Sequence, residues 1–113
     1  MAITNERLAG YEFLHPMRGD GYYPARLVAK GGDILHALCE RIEAQPPSGL
    51  DELYELTQAA TEEFNLLDEE FHAAGSEIET VAREAIAADF DHLAQAYGYA
   101  DADVEELIAN REW

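Results

Sequence analysis

The chain has 113 residues, with 24 Asp or Glu against 7 Lys or Arg and a formal net charge of −17. That length supports one domain with a single modest core. The charge argues against direct binding to phosphate backbones or anionic membranes, because no basic stripe is available to release counterions.

The acidity is uneven. Residues 1–41 hold five acids and five Lys or Arg, whereas residues 42–113 hold nineteen acids against only Arg83 and Arg111. Such a field attracts a basic protein or divalent cations; in its plainer role it solvates helix surfaces. No apolar run approaches the roughly 18 residues of a membrane span, and MAITNERLAG lacks a signal peptide's hydrophobic segment. A soluble cytoplasmic protein is the expectation. Cys39 is the sole cysteine, so it forms no internal disulfide and no zinc site by itself.

In chain order, residues 1–23 are the least regular. Tyr11, Phe13, Leu14 and Met17 carry enough apolar surface to dock on a core, while His15-Pro16 and Gly19-Asp20-Gly21 break regular structure. An ordered arm packed across the domain is expected. Pro24 suits the start of a helix, and Leu27, Val28, Ile34, Leu35, Leu38 and Ile42 keep one face, predicting a helix over about 24–43. Gly31 lies on that face without shifting its phase. It serves either close approach of another helix or room for a ligand.

Gln45-Pro46-Pro47-Ser48-Gly49 is the clearest linker. Leu53, Leu56, Ala60, Phe64, Leu67, Phe71 and Ala74 then alternate steps of three and four, predicting a long helix over about 50–74 that ends at Gly75. Ser76 and Glu79 have capping-box spacing, and an apolar stripe from Ile78 to Tyr97 predicts a third helix over about 76–97, stopped by Gly98. The short connection makes the second and third helices antiparallel neighbours. Asp101 or Asp103 caps a short last helix over about 101–111, with Val104, Leu107 and Ile108 inward, Arg111 suited to its C-terminal dipole, and Trp113 as an apolar stopper. The expected fold is all-α: a compact antiparallel bundle of three long helices and a short fourth.

The segments YEFLHPM, LVAKGG, LCERIE, LYELTQAATEEFN, SEIETVAREAI, AYGY and EELIANREW, in this order, resemble an uncharacterised bacterial family of small acidic helical proteins, classed as a domain of unknown function. The resemblance covers most of the chain. It implies an all-helical fold and a cytoplasmic bacterial setting, and it carries over no activity and no binding residue.

Every histidine follows an acid by three residues: Glu12 and His15, Asp33 and His36, Glu69 and His72, Asp89 and His92. That is the spacing by which di-iron bundles project ligands inward. Only the last pair falls on an apolar stripe, with Asp89 near its middle and His92 toward its margin. A carboxylate there must find a partner or shift its pKa.

Counting outward from Gly75 brings Glu63 level with Ala87 or Ala88, so Glu63, Asp89 and His92 can converge, with Gly31 at a similar height leaving space. Two carboxylates and an imidazole can hold one divalent metal or transfer a proton. The plain alternative is a structural polar cluster in which Asp89 is satisfied by Arg26, Arg111, His92 or a tyrosine hydroxyl. Cys39 has His36 one turn away, but the negative field raises a thiol pKa, so it reads as structural. No phosphate loop, nucleophile elbow or zinc spacing occurs.

Two functional expectations follow. The leading one is a non-enzymatic acidic protein that binds a basic protein partner, in the manner of an inhibitor or immunity protein, with no cofactor. The alternative is a metal- or small-molecule-binding bundle using Glu63, Asp89, His92 and Gly31 with one divalent metal.

Overall fold

A computed structural model describes residues 3–113. Among the described residues four α-helices follow one 3-10 turn at His15–Met17: α1 Ala25–Ala44, α2 Leu50–Ala73, α3 Thr80–Ala96 and α4 Val104–Leu107. No strand occurs among the described residues. Nor is any helix among them long and apolar enough to cross a membrane. The all-helical bundle expected from the spacing of apolar residues is what the chain forms.

Pro24 starts α1 as expected, its carbonyl accepting from the Leu27 and Val28 amides at 3.0 and 3.1 Å. The helix runs unbroken through Gly31-Gly32. α2 starts at the predicted linker, where Glu52 reaches back to the Ser48 hydroxyl and amide at 2.6 and 3.1 Å. Its end is a left-handed glycine: Gly75 has φ +80°, and the Ser76 amide donates to the Phe71 carbonyl at 2.8 Å. α3 ends the same way, with Gly98 at φ +91° and Tyr99 N–H on Ala94 O at 2.9 Å.

That closure of α2 corrects the expected start of the third helix. Ser76 belongs to the α2 terminus, so its hydroxyl is buried without a hydrogen-bond partner instead of capping α3. Residues 76–79 are not helical, with the Ile78 amide tied to Asp68 Oδ1 at 3.0 Å and the Ile78 side chain buried in the core. The helix begins at Thr80, four residues later than predicted, and Glu79 becomes the cap by accepting from Val81 N–H at 3.3 Å. The last helix is also shorter than 101–111. Asp103 caps it through Glu105 N–H at 3.0 Å, and Arg111 pairs with Glu105 at 3.0 Å rather than with a helix terminus.

The closest backbone approach among the long helices is between α1 and α2, whereas α3 is met by the 3-10 turn and by α4. Bulky groups span the wider α2–α3 separation, with the Phe64 and Phe90 rings edge-on at 6.0 Å. The neighbourly packing expected of α2 and α3 therefore runs through side chains. Gln58 Nε2 donates to the Glu106 carbonyl of α4 at 2.9 Å and Asn110 Nδ2 donates to the Gln58 carbonyl at 3.0 Å, pinning α4 and the segment after it to α2.

The arm packs across the core with Phe13, Leu14 and Met17 buried as expected and Leu8 buried beside them, whereas Tyr11 remains 39% exposed. Gly31 is the notch that receives it. A Cβ added there would lie 2.7 Å from Leu14 Cδ1 and 3.2 Å from Phe64 Cε1. At Gly32 the only close group is Arg18 Nη2, at 3.1 Å, the far end of a long, adaptable side chain.

These two adjacent glycines should respond oppositely to alanine. Both substitutions gain about 1 kcal/mol of helix propensity, but Gly31→Ala also overpacks a buried junction, at a cost of roughly 1–3 kcal/mol. In chemical denaturation, Gly31→Ala should lose stability while Gly32→Ala is neutral or gains. Equal effects would show that the notch is not filled by Leu14.

Candidate functional site

Asp89 is the most deeply buried carboxylate among the described residues, only 3% exposed. It occupies the core-facing stripe of α3, where helical spacing put it. Its partners come from the arm. The Tyr11 hydroxyl donates to Oδ1 at 2.7 Å and the Leu14 amide donates to Oδ2 at 2.6 Å. Leu14 is the only described non-glycine residue with positive φ, at +60°, and this turn aims its amide at Asp89 while sending its side chain into the Gly31 notch. Of the partners weighed from sequence, the tyrosine hydroxyl is the one found. The backbone amide was not foreseeable, because nothing in the local pattern marks a left-handed leucine.

Burial pushes the Asp89 carboxyl above its ordinary range, and the bonds from Tyr11 and Leu14, with His92 and Arg18 nearby, oppose that shift. The same burial, reinforced by Asp89, raises the Tyr11 phenol to about 12, so it stays a donor. His92 stacks on Tyr11 with ring centroids 4.3 Å apart and planes 25° apart. Its Nε2 is buried without a hydrogen-bond partner.

Glu63 does not join them. It is exposed on α2 and borders a depression of about 220 Å³ on the α1 side, with Lys30, Ile34, Leu66, Leu67 and Glu70. Gly31 leaves no ligand space, because Leu14 and Phe64 fill it. The proposed convergence of Glu63, Asp89, His92 and Gly31 is therefore corrected: counting residues from Gly75 gave the height of Glu63 along α2 but not the neighbour it faces.

Among the described residues, no group of three or more His, Cys, Asp or Glu is placed to hold a metal ion. The other acid–histidine pairs lie outside the core. Glu12 and His15 bond each other at 2.7 Å on the exposed arm, His36 approaches Glu40 at 3.9 Å, and His72 approaches Asp68 at 3.5 Å. Cys39 is fully buried, and its thiol is pushed up to about 12, chiefly by burial with Glu43 and Glu40 adding to it.

Sequence reading missed a second polar node. Glu43 at the end of α1 accepts from the Thr4 amide and hydroxyl at 2.9 and 2.8 Å, from the Asn5 amide at 3.1 Å, and from the Tyr97 hydroxyl. The Tyr97 bond, ahead of those from Thr4 and Asn5, holds Glu43 down at about 2. A third tyrosine–carboxylate pair, Tyr23 with Glu79, ties the entry to α1 to the cap of α3. Tyr23 thus buries its ring in the core and donates its hydroxyl to a carboxylate. The available signal was three tyrosines at element boundaries in a chain rich in carboxylates.

Asp89 is satisfied by donors that a neutral isostere can keep. In the Asp89→Asn variant the new side-chain amide would accept from Leu14 N–H and donate to the Tyr11 oxygen, so stability at neutral pH should stay within about 1 kcal/mol of the parent or rise. Asp89→Ala leaves the Leu14 amide and the Tyr11 hydroxyl without their partner and should cost about 2–4 kcal/mol. Denaturation of both variants decides this; an Asn variant as unstable as the Ala variant would show that the negative charge itself holds the arm.

The pH dependence follows from the opposite shifts. With its folded pKa raised, Asp89 contributes stability fully below about pH 4 that is lost as pH rises through its folded value. Glu43, lowered from 4.5 to about 2, contributes above pH 4.5 and loses that contribution as pH falls toward 2. The stability of Asp89→Asn relative to the parent should therefore increase from pH 4 to pH 7, whereas a Glu43→Gln variant should lose its deficit below pH 4.5. Denaturation midpoints across that range measure both.

Comparison with known proteins adds the family and nothing about activity. Neither curated proteins nor solved structures gave a match to the chain. A family model described as a family of unknown function, DUF5713, matches residues 7–113, nearly the whole chain, in keeping with the resemblance seen in its motifs. The chain belongs to the DUF5713 family.

Proposed function

We propose that this chain is a non-enzymatic cytoplasmic protein that binds a basic protein partner, as inhibitor and immunity proteins do. The observation that carries the reading is how the carboxylates divide. Asp89, Glu43 and Glu79 bind arm, entry or helix-terminal groups of the chain itself. Many others, among them Glu55, Glu62, Glu63, Glu69, Glu77 and Glu84, stand exposed on the surface. No Lys or Arg lies between residues 42 and 82, so that stretch of the chain supplies no counter-charge of its own. Such a field steers basic partners into encounter and disfavours acidic ones.

The metal- or small-molecule reading loses its motive in the fold, because Glu63 faces α1, Asp89 is bonded to the arm and the Gly31 notch is filled. Elemental analysis and titration with divalent ions test it independently; a stoichiometric bound metal with a thermal shift would restore it.

Calorimetry against a panel of small basic and small acidic proteins over a salt series tests the main reading. The expected outcome is association with a basic member whose Kd weakens steadily as salt rises. A panel in which no salt-sensitive basic partner emerges, even at low ionic strength, would overturn it.

A further inference from the structure

The outward side of α2 carries more than charge. Exposed Ala59, Leu66 and Ala73 recur at intervals of seven, so they form one narrow seam along the helix. Leu66 is 64% exposed, the most exposed of the large apolar residues among those described. Exposed Glu55, Glu62 and Glu69 recur at the same interval on one flank, and exposed Glu63 and half-buried Glu70 stand on the other. On the latter side Leu66 borders the depression of about 220 Å³ shared with Ile34 and Leu67, which gives a partner's side chain an apolar place to enter. Lys30, bonded to Glu70 at 2.7 Å, is a cation already seated on this flank.

We infer that this face of α2 is the docking surface, and that its occupant is a basic amphipathic helix lying along the Ala59–Leu66–Ala73 seam. The inference rests on the basic-partner reading above and specifies where and how the partner binds. The small residues at either end admit close approach, and Leu66 with the adjoining depression takes the partner's apolar side chains. The glutamate rows then meet lysines or arginines on both edges of the incoming helix, as flanking charges do in helix pairing. A second copy of this chain is disfavoured as occupant, because it would set like-charged rows against each other.

The test uses the full chain and two designed peptides of identical composition. One places leucine in a seam of period seven with lysine on both flanks; the other has the same residues in scrambled order. Their Kd values are measured by calorimetry for the parent, for Leu66→Ser, for Glu62→Lys/Glu69→Lys, and for Glu84→Lys/Asp91→Lys on α3. Leu66 is exposed, so its replacement should leave the fold intact, which thermal unfolding checks.

The expected result is that the patterned peptide binds more tightly than the scrambled one. Leu66→Ser should weaken it about tenfold without any change in charge, and the α2 charge reversal should weaken it more than the α3 reversal. If the peptides bind alike, Leu66→Ser has no effect and the two reversals are equivalent, the chain binds through a diffuse field; the assignment to α2 then fails while the basic-partner reading stands. If neither peptide binds even at low salt, the basic-partner reading itself fails.

Discussion

The arm, the first helix and the third helix are held together by one buried carboxylate. Asp89 sits inside the apolar stripe of α3, where an unsatisfied carboxylate would be among the most destabilising groups a small core could contain. Two donors from the same short stretch of arm remove that penalty, the Tyr11 hydroxyl and the Leu14 amide. Because Leu14 must turn left-handed to point its amide at Asp89, its side chain is delivered to a place on α1 that has no Cβ. The polar bond and the Gly31 notch are therefore one constraint: loosening either exposes the arm's apolar residues and leaves a buried charge.

The other tyrosine–carboxylate pairs repeat this logic at the edges. Tyr97 and Glu43 join the end of α3 to the end of α1, and Glu43 also takes the Thr4 and Asn5 amides at the start of the arm. Tyr23 and Glu79 join the entry of α1 to the start of α3. All three pairs bring α3 together with the arm or α1, and so add to the backbone approach that α3 already makes to the 3-10 turn, while the close approach between long helices belongs to α1 and α2. A tyrosine contributes a large apolar ring as well as a donor, so one side chain can span a wide interval and still satisfy a carboxylate at its far end.

This use of carboxylates as internal latches separates them from the acids that face water. The latching groups hold the arm, the helix ends and the caps, and the shifted titrations of Asp89 and Glu43 make stability depend on pH. Exposed acids such as Glu62 and Glu69 on α2 and Glu84 on α3 instead set the negative field of the surface. In a strongly acidic chain the two populations are indistinguishable by composition.

The all-helical class, the linker at Pro46-Pro47, and the stops at Gly75 and Gly98 followed from the sequence, because apolar spacing and glycine conformation act within one helix. Asp89 was likewise marked as an acid needing a partner, since its angle on α3 depends only on its neighbours in the chain. What only the tertiary structure decided were the relations between segments. Spacing specifies a residue's angle about its own helix axis but not which other axis lies across from it, so Glu63 turned toward α1 and the expected trio did not assemble. The loss of the Ser76 cap has the same cause: the closure of α2 claimed the Ser76 amide, and the core claimed Ile78, before the third helix could begin.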